Sequence, residues 1–312
     1  MADRLRLMEI FVAVADAGSL VAAARALRIS PAAVTRAVAA LEDALGTTLL
    51  ARTTRSLAVT EPGARYLERA RRVLAEIAAA EEEAGGASAE PHGRLTVTTS
   101  LTFARRIVSP MMGPFLAAHP RLAASLVLSD RVVNLVEEGI DAAVRLGRLA
   151  DSSLVARRVG TVRRILVASP SFAARHPAAH PRVLRRIPLV GYTALAATHE
   201  WGFSDGGRPF AVAVEPRYEV NDAEAALDAA EAGEGATVAM SYLVAERIAA
   251  GRLVPLLEAF APPPAPVHIV TPPSRLPAPK VRAFVAFAAP RLGAALAAVE
   301  ATLSGPSSAP GG

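Results

Sequence analysis

The sequence predicts an α/β chain that opens with a small all-helical unit and a β-hairpin wing, carried on one long helix. Three observations lead there: short apolar-striped helices up to Gly46, a hairpin pattern with a basic tip directly after them, and a change from purely helical to mixed strand-and-helix periodicity past a Gly- and Pro-rich hinge.

Residues 4–17 place Leu7, Ile10, Phe11 and Val14 at i, i+3, i+4 and i+7, one apolar stripe of a helix. Gly18 ends it, and Ser19 caps a short Ala-rich helix reaching about Leu27. Arg28-Ile29 form a brief connection, then Ser30-Pro31 read as N-cap followed by proline at the first helical position. The third helix keeps Val34, Val38, Leu41 and Leu45 on one face and stops at Gly46. Residues 48–60 hold two apolar runs, Leu49-Leu50 and Leu57–Val59, around Arg52-Thr53-Thr54-Arg55, a hairpin with a basic, polar tip. Thr60 caps a helix from about Glu61 to Ala84, in which Leu67, Ala70, Leu74 and Ile77 follow 3-4 spacing, a narrow seam suited to one partner helix. Gly85 to Pro91 reads as a hinge.

Beyond it, strand-like runs (Leu95–Thr99, Ala124–Leu128, Ala142–Leu146, Ile165–Ala168, Ile187–Val190, Val238-Ala239 and Val267–Thr271) alternate with helical stretches near 104–118, 132–138, 170–175, 222–232, 241–250 and 279–300. The alternation predicts mainly parallel sheets, and the length predicts two lobes. The domains expected are 1–60, a linker of 61–92, and 93–302, with lobe one at about 93–163 and 268–302, lobe two at about 164–267, and a disordered tail at 303–312.

Composition narrows the function classes. Of the 312 residues 52% are hydrophobic, which excludes wholesale disorder. The most apolar stretches, 10–27 and 283–299, are broken by Asp16, Arg25, Pro290 or Arg291, so no membrane span is expected. The opening MADRLRLMEIF has no separate apolar core before a small-residue cleavage site, so no secretory leader is expected and a cytoplasmic protein fits best. Without Cys there is no disulfide framework, thiolate metal site or cysteine nucleophile. The net charge of +5 argues only weakly for nucleic acid, because it is spread: residues 1–60 hold seven Arg against five acids, whereas 61–90 hold four against seven.

Placement carries the case instead. In a helix-turn-helix the second helix enters the major groove by its N-terminal end while its apolar face holds it to the scaffold. Opposite Val34, Val38 and Leu41 stand Ala32, Ala33, Thr35 and Arg36, small enough for close approach, with one hydroxyl and one guanidinium. The Ser30 end offers backbone N–H groups to a phosphate. Arg52 and Arg55 of the wing can reach phosphates or the minor groove, with Thr54 adding a hydroxyl. The bland alternative is a small structural bundle with a solvated Arg55.

Residues 5–63, with FVAVADAGSLVAAARALRIS and SPAAVTRAVAALEDALGTTLLARTTRSLAVTEPG, resemble the N-terminal domain of LysR-type transcriptional regulators. GRLTVTTSLTFARRIVSPMMGPFLAAHP and LSDRVVNLVEEGIDAAVRLGRLADSSLVARRVG are similar to the family's effector-domain pattern, so the likeness runs to about residue 300. It implies a winged helix-turn-helix, a linker helix that pairs between subunits, an effector domain of two lobes like those of periplasmic binding proteins, a homodimer or homotetramer, an interrupted palindrome in double-stranded DNA, and a small-molecule effector between the lobes. By position it places Ser30, Thr35 and Arg36 at recognition-helix contacts and Arg52, Thr54 and Arg55 on the wing. Many members carry Gln after the capping Ser. Pro31 stands there instead, so base preference must lean on Ala32 or Ala33 against thymine methyls, on Thr35 and Arg36, or on DNA shape.

Ligands of open α/β sheets sit at the carboxyl ends of strands. Thr99 and Ser100, with Thr102 just beyond, offer hydroxyls there, Arg145 a positive charge, and Asn221-Asp222 face them from the other lobe; the alternatives are plain N-caps and an exposed ion pair. Glu234 brings an unusual charge into the Gly233–Gly235 turn, disfavouring an acidic ligand if it faces inward.

Enzyme readings fare poorly. The only Lys, Lys280, lies in Pro-Ala-Pro-Lys, a poor setting for a Schiff base, and no cofactor is expected. His176 and His180 each precede Pro, so no metal site is expected either. No G-x-S-x-G elbow or phosphate-binding P-loop is present. The competing functions are a solute-binding sensor whose helical unit only dimerises, and an architectural DNA binder with an inert α/β half.

Overall fold

The computed structural model describes residues 2–52, 57–84, 90–149, 154–195, 198–274 and 277–304. Thr54, Arg55, the hinge residues 85–89 and tail residues 305–312 lie outside them, and of Arg52 only the backbone is described. The chain divides into two compact units, one of Met1–Glu90 with Asn134–Ile140 and Ser274–Pro279, the other of the remainder.

In the first unit, α1 (Ala2–Ala17), α2 (Leu20–Leu27) and α3 (Pro31–Leu45) surround a core of Ile10, Phe11, Val14, Ala23, Ala24, Val34, Val38 and Leu41, as the stripe spacing predicts. Ser19 and Ser30 cap α2 and α3, their side chains accepting from the Ala22 and Ala33 amides. The wing is an antiparallel pair, β1 (Leu50–Arg52) and β2 (Leu57–Val59), with Arg52 opposite Leu57. The helix α4 (Glu61–Ala84) follows. Its seam is partly used within the chain: Ala70 is buried and Leu67 packs on the core around Phe11, leaving Leu74 and Ile77 half-buried. The expectation that all four face a partner helix is therefore corrected, because α4 must also cover its own three-helix core.

The second unit opens with β3 (Gly93–Thr99), the short helix α5 (Leu101–Phe103), a π turn (Ala104–Val108) and α6 (Ser109–Ala118). Then come β4 (Leu122–Leu128), β5 (Ala142–Leu146), β6 (Val155–Val162) and β7 (Arg164–Ala168). Where a helix is expected near 132–138, residues 135–139, which group with the first unit, form a turn, since the Asn134 side chain accepts the Val136 and Glu137 amides and diverts the backbone, and Val132 and Val136 stay exposed. The chain continues through α7 (Pro170–Arg175), β8 (Val190–Tyr192), β9 (Glu200–Asp205), β10 (Arg208–Ala213), β11 (Tyr218–Val220) and α8 (Ala223–Glu231). It ends with β12 (Thr237–Met240), α9 (Ser241–Ala249), β13 (Val254–Leu256), β14 (Ala265–Thr271) and α10 (Pro279–Ser304).

Two lobes result. The first is a five-stranded sheet of order β4-β3-β5-β14-β6, and the second holds the antiparallel sheet β12-β7-β13, the parallel pair β8-β11 and the hairpin β9-β10. The sheets are mixed, not mainly parallel: β3 pairs β4 and β5 in parallel, but β14, returning from the second lobe, runs antiparallel to β5 and β6. The boundary expected at 268 falls inside β14, whose ladder begins at Ala265. The chain crosses between the lobes at Arg163, where its amide donates to the Ser241 hydroxyl (3.1 Å) and its carbonyl accepts the Ser241 amide (2.8 Å). By length and composition α10 could cross a membrane. Here Phe284, Ala288, Leu292 and Leu296 are buried, Phe284 and Phe287 meet Phe115, and Leu303 and Ser304 extend the helix into the expected tail.

Candidate functional site

The reading head is built from the end of α3. Val34, Val38 and Leu41 are buried, while Pro31, Ala32 and Arg36 are exposed and Ala33 and Thr35 half-buried. Ser30 Oγ accepts the Ala33 amide at 3.2 Å and Pro31 has no N–H, so the amide that the helix end offers outward is that of Ala32. The turn before α3 places Arg28 at φ 54°, ψ 41°, a left-handed conformation unusual for a residue with a Cβ; its amide and that of Ile29 close α2 on the Arg25 and Ala24 carbonyls.

Sequence reasoning missed what fixes the wing to this head. Glu42 Oε1 of α3 accepts the amides of Leu49 (2.7 Å) and Leu50 (3.0 Å). Thr60 donates its hydroxyl to the Thr48 and Leu49 carbonyls and accepts the Gly63 amide, and its own amide also donates to Leu49 O. A Cβ on Gly63 would lie 2.1 Å from that same Leu49 oxygen. Only glycine lets α4 approach the strand this closely.

In the second unit a cleft of about 470 Å³ opens at the carboxyl ends of β3 and β5. Thr99, Ser100 and Arg145 line it, with Asp130, Val133 and Leu146 among the other walls. Thr99 is buried, and among the described residues its hydroxyl has no hydrogen-bond partner. Arg145 commits Nη2 to the Val133 carbonyl at 2.6 Å, and Asp130 accepts the Leu101 amide at 3.2 Å. Thr102 turns instead to Tyr242, 2.7 Å between hydroxyl oxygens. Asn221 and Asp222 are not among the walls: Asn221 is exposed and Asp222 caps α8, accepting the Ala225 amide at 2.9 Å. Glu234 is exposed and does not line the cleft.

The sequence reading also missed the tyrosines. Burial pushes the Tyr242 phenol up to about 12, against the opposing pull of its bond to Thr102. Burial likewise raises Tyr192, helped by the Asp130 and Asp222 carboxylates. These phenols bring both lobes to one place, and their only sequence signal is rarity, four Tyr in the chain. Lys280 is ion-paired with Asp141 and donates to Arg94 O. Among the described residues no group of three His, Cys, Asp or Glu could hold a metal.

Comparison with known proteins adds to this geometry. Residues 5–64 match the family described as bacterial regulatory helix-turn-helix protein, lysR family, and residues 88–293 match the LysR substrate binding domain. The chain belongs to the LysR family of transcriptional regulators. This LysR-type regulator is 36% identical over 286 residues to an HTH-type transcriptional repressor of Pseudomonas aeruginosa, covering 91% of this chain and 90% of the relative. It is 35% identical over 252 residues to the HTH-type transcriptional regulator CrgA of Neisseria meningitidis, covering 80% and 84%. The solved structure of CrgA matches with a TM-score of 0.58 at 32% identity, covering 92% and 98%, and that of the Vibrio cholerae virulence activator AphB with 0.59 at 28%, covering 91% and 98%. The LysR-type regulator thus has a helix-turn-helix DNA-binding domain and an effector-binding domain, and a sensor that only dimerises through its helical unit is not favoured.

Proposed function

We propose that this regulator reads an interrupted palindrome in double-stranded DNA as a homodimer or homotetramer, and that a small molecule held between the lobes, seated in the cleft that the first lobe forms at the ends of β3 and β5, sets the spacing of its reading heads. The observation that carries this is the Ser30-capped end of α3, where small exposed residues and Arg36 stand over the buried Val34-Val38-Leu41 anchor. Ala32 and Ala33 meet thymine methyls, Thr35 and Arg36 reach base edges or phosphates, and Arg52, Thr54 and Arg55 hold the backbone beside them. Leu74 and Ile77 of α4 supply the seam to a partner helix. The role is regulatory rather than catalytic, and it is exercised in the cytoplasm.

The unpartnered Thr99 hydroxyl supports a ligand with an acceptor oxygen at that end of the cleft and an apolar body along Val133 and Leu146, in a volume ordinary for small-molecule sites. Only a ligand that binds one spacing of the lobes better than another can switch the protein. Two experiments test the reading. Selection of sheared genomic DNA by the full chain should return a palindrome with a gap, bound more weakly as salt rises; recovery without sequence preference would refute it. A thermal-shift screen of small carboxylic acids and aromatics should find a stabiliser whose effect Thr99→Val abolishes, and an equal shift in that variant would refute the placement.

A further inference from the structure

One segment of the first lobe reaches the second at three neighbouring residues. Thr102 bonds Tyr242, the Phe103 ring meets the Tyr242 ring edge-on at 5.2 Å, and Arg106 Nη2 donates to Glu224 Oε1 at 2.9 Å, with Nη1 3.8 Å from Glu246. Arg106 lies in the π turn Ala104–Val108, a wide turn that recurs at functional sites. Phe103, Ala104 and Val108 point into the core while Arg105 and Arg106 point out.

The second-lobe side of this contact is electrostatically incomplete by itself. Glu224, Asp228 and Glu231, at i, i+4 and i+7 of α8, converge on the buried Arg247 at 2.9, 2.9 and 3.1 Å, and Arg252 takes the other oxygen of Glu231 at 3.1 Å. Among the described ion pairs, these three carboxylates meet two guanidiniums from their own lobe. The third comes from the first lobe, where Arg106 occupies the Glu224 oxygen that Arg247 leaves open. We infer that Arg106 and Glu224 form an interlobe clasp that holds the lobes at this spacing and against which an effector in the cleft must work. Its part in the response rests on the reading of the cleft given above; the clasp itself does not. The hydrogen bond to Glu224, more than its charge, raises the Arg106 pKa.

The chain has no cysteine, so Ala286→Cys, on the exposed side of α10, and Ala249→Cys, at the end of α9, accept two spin labels without background. Labelled full-length subunits diluted into unlabelled ones report intrachain distances by pulsed electron paramagnetic resonance. Arg106→Ala should lengthen and broaden the interlobe distance, Arg106→Lys should largely retain it, and high salt should move the parent toward the Ala variant. A half-exposed pair adds little to global stability, so the melting temperature of Arg106→Ala should stay near the parent's. An Ala variant whose distances superimpose on the parent's would overturn the clasp. So would a change accompanied by general loss of the melting transition and no rescue by Lys. If the distances respond but no acid or aromatic shifts the melting curve, the clasp stands and the cleft reading fails.

Discussion

Gly63→Ala tests how the wing is held. A Cβ at that position would sit 2.1 Å from Leu49 O, 2.9 Å from Leu49 C and 3.0 Å from Val59 Cγ1. Two of these are backbone atoms of the chain entering β1, so no side-chain rotation relieves the contact. Relief requires α4 to move away from the wing, and Leu49 O then loses the Thr60 amide (2.9 Å) and hydroxyl (3.2 Å). Overpacking costs about 2 kcal/mol and the two hydrogen bonds about 1 kcal/mol each, offset by about 1 kcal/mol from alanine's better helix propensity. The net is a loss of about 3 kcal/mol from the first unit, which for a unit of this size lowers its melting temperature by roughly 10–20 °C. Far-UV dichroism follows the helices of both units, whereas the only tryptophan, Trp201, lies in the second. The dichroism melt should therefore gain an early phase that Trp201 fluorescence lacks, and DNA affinity should fall with the displaced wing. A variant as stable as the parent, or more stable by the helix term alone, would refute the reasoning.

Other outcomes follow from the same geometry. Arg28→Gly removes a Cβ from a left-handed position and should stabilise the first unit by about 0.5–1 kcal/mol, read as a higher urea midpoint. Tyr242, raised to about 12, contributes its full stability below pH 10 and loses it between pH 10 and 12, at about 1.4 kcal/mol per pH unit. Urea midpoints of Tyr242→Phe should be lower at neutral pH and flatter over that alkaline range. Arg52→Ala combined with Arg55→Ala should reduce the slope of log affinity against log salt by about 2 if each arginine neutralises one phosphate, and an unchanged slope would remove the wing from the contact surface.

The helical head was legible because its determinants are local. Ser19 and Ser30 caps, Pro31 at the first helical position, Gly18 and Gly46 stops and a 3-4 apolar stripe act within a few residues of chain. Several strands escaped notice where that locality fails. The edge strand β6 carries Arg157 and Arg158 and has an exposed first half, so it shows no apolar run. The hairpin β9-β10 did have a local signal, Gly206-Gly207, both at positive φ.

By itself, then, the sequence determined the capped helices, the wing, the long helix and the strand ends at Thr99 and Leu146, because each depends on side chains adjacent along the chain. Tertiary structure alone decided that β14 enters the first sheet antiparallel, that Ala70 turns inward, and that Thr102 meets Tyr242 across 140 positions of sequence. Those outcomes depend on which surfaces the folded backbone brings within a few ångströms, and no spacing along the chain encodes that distance.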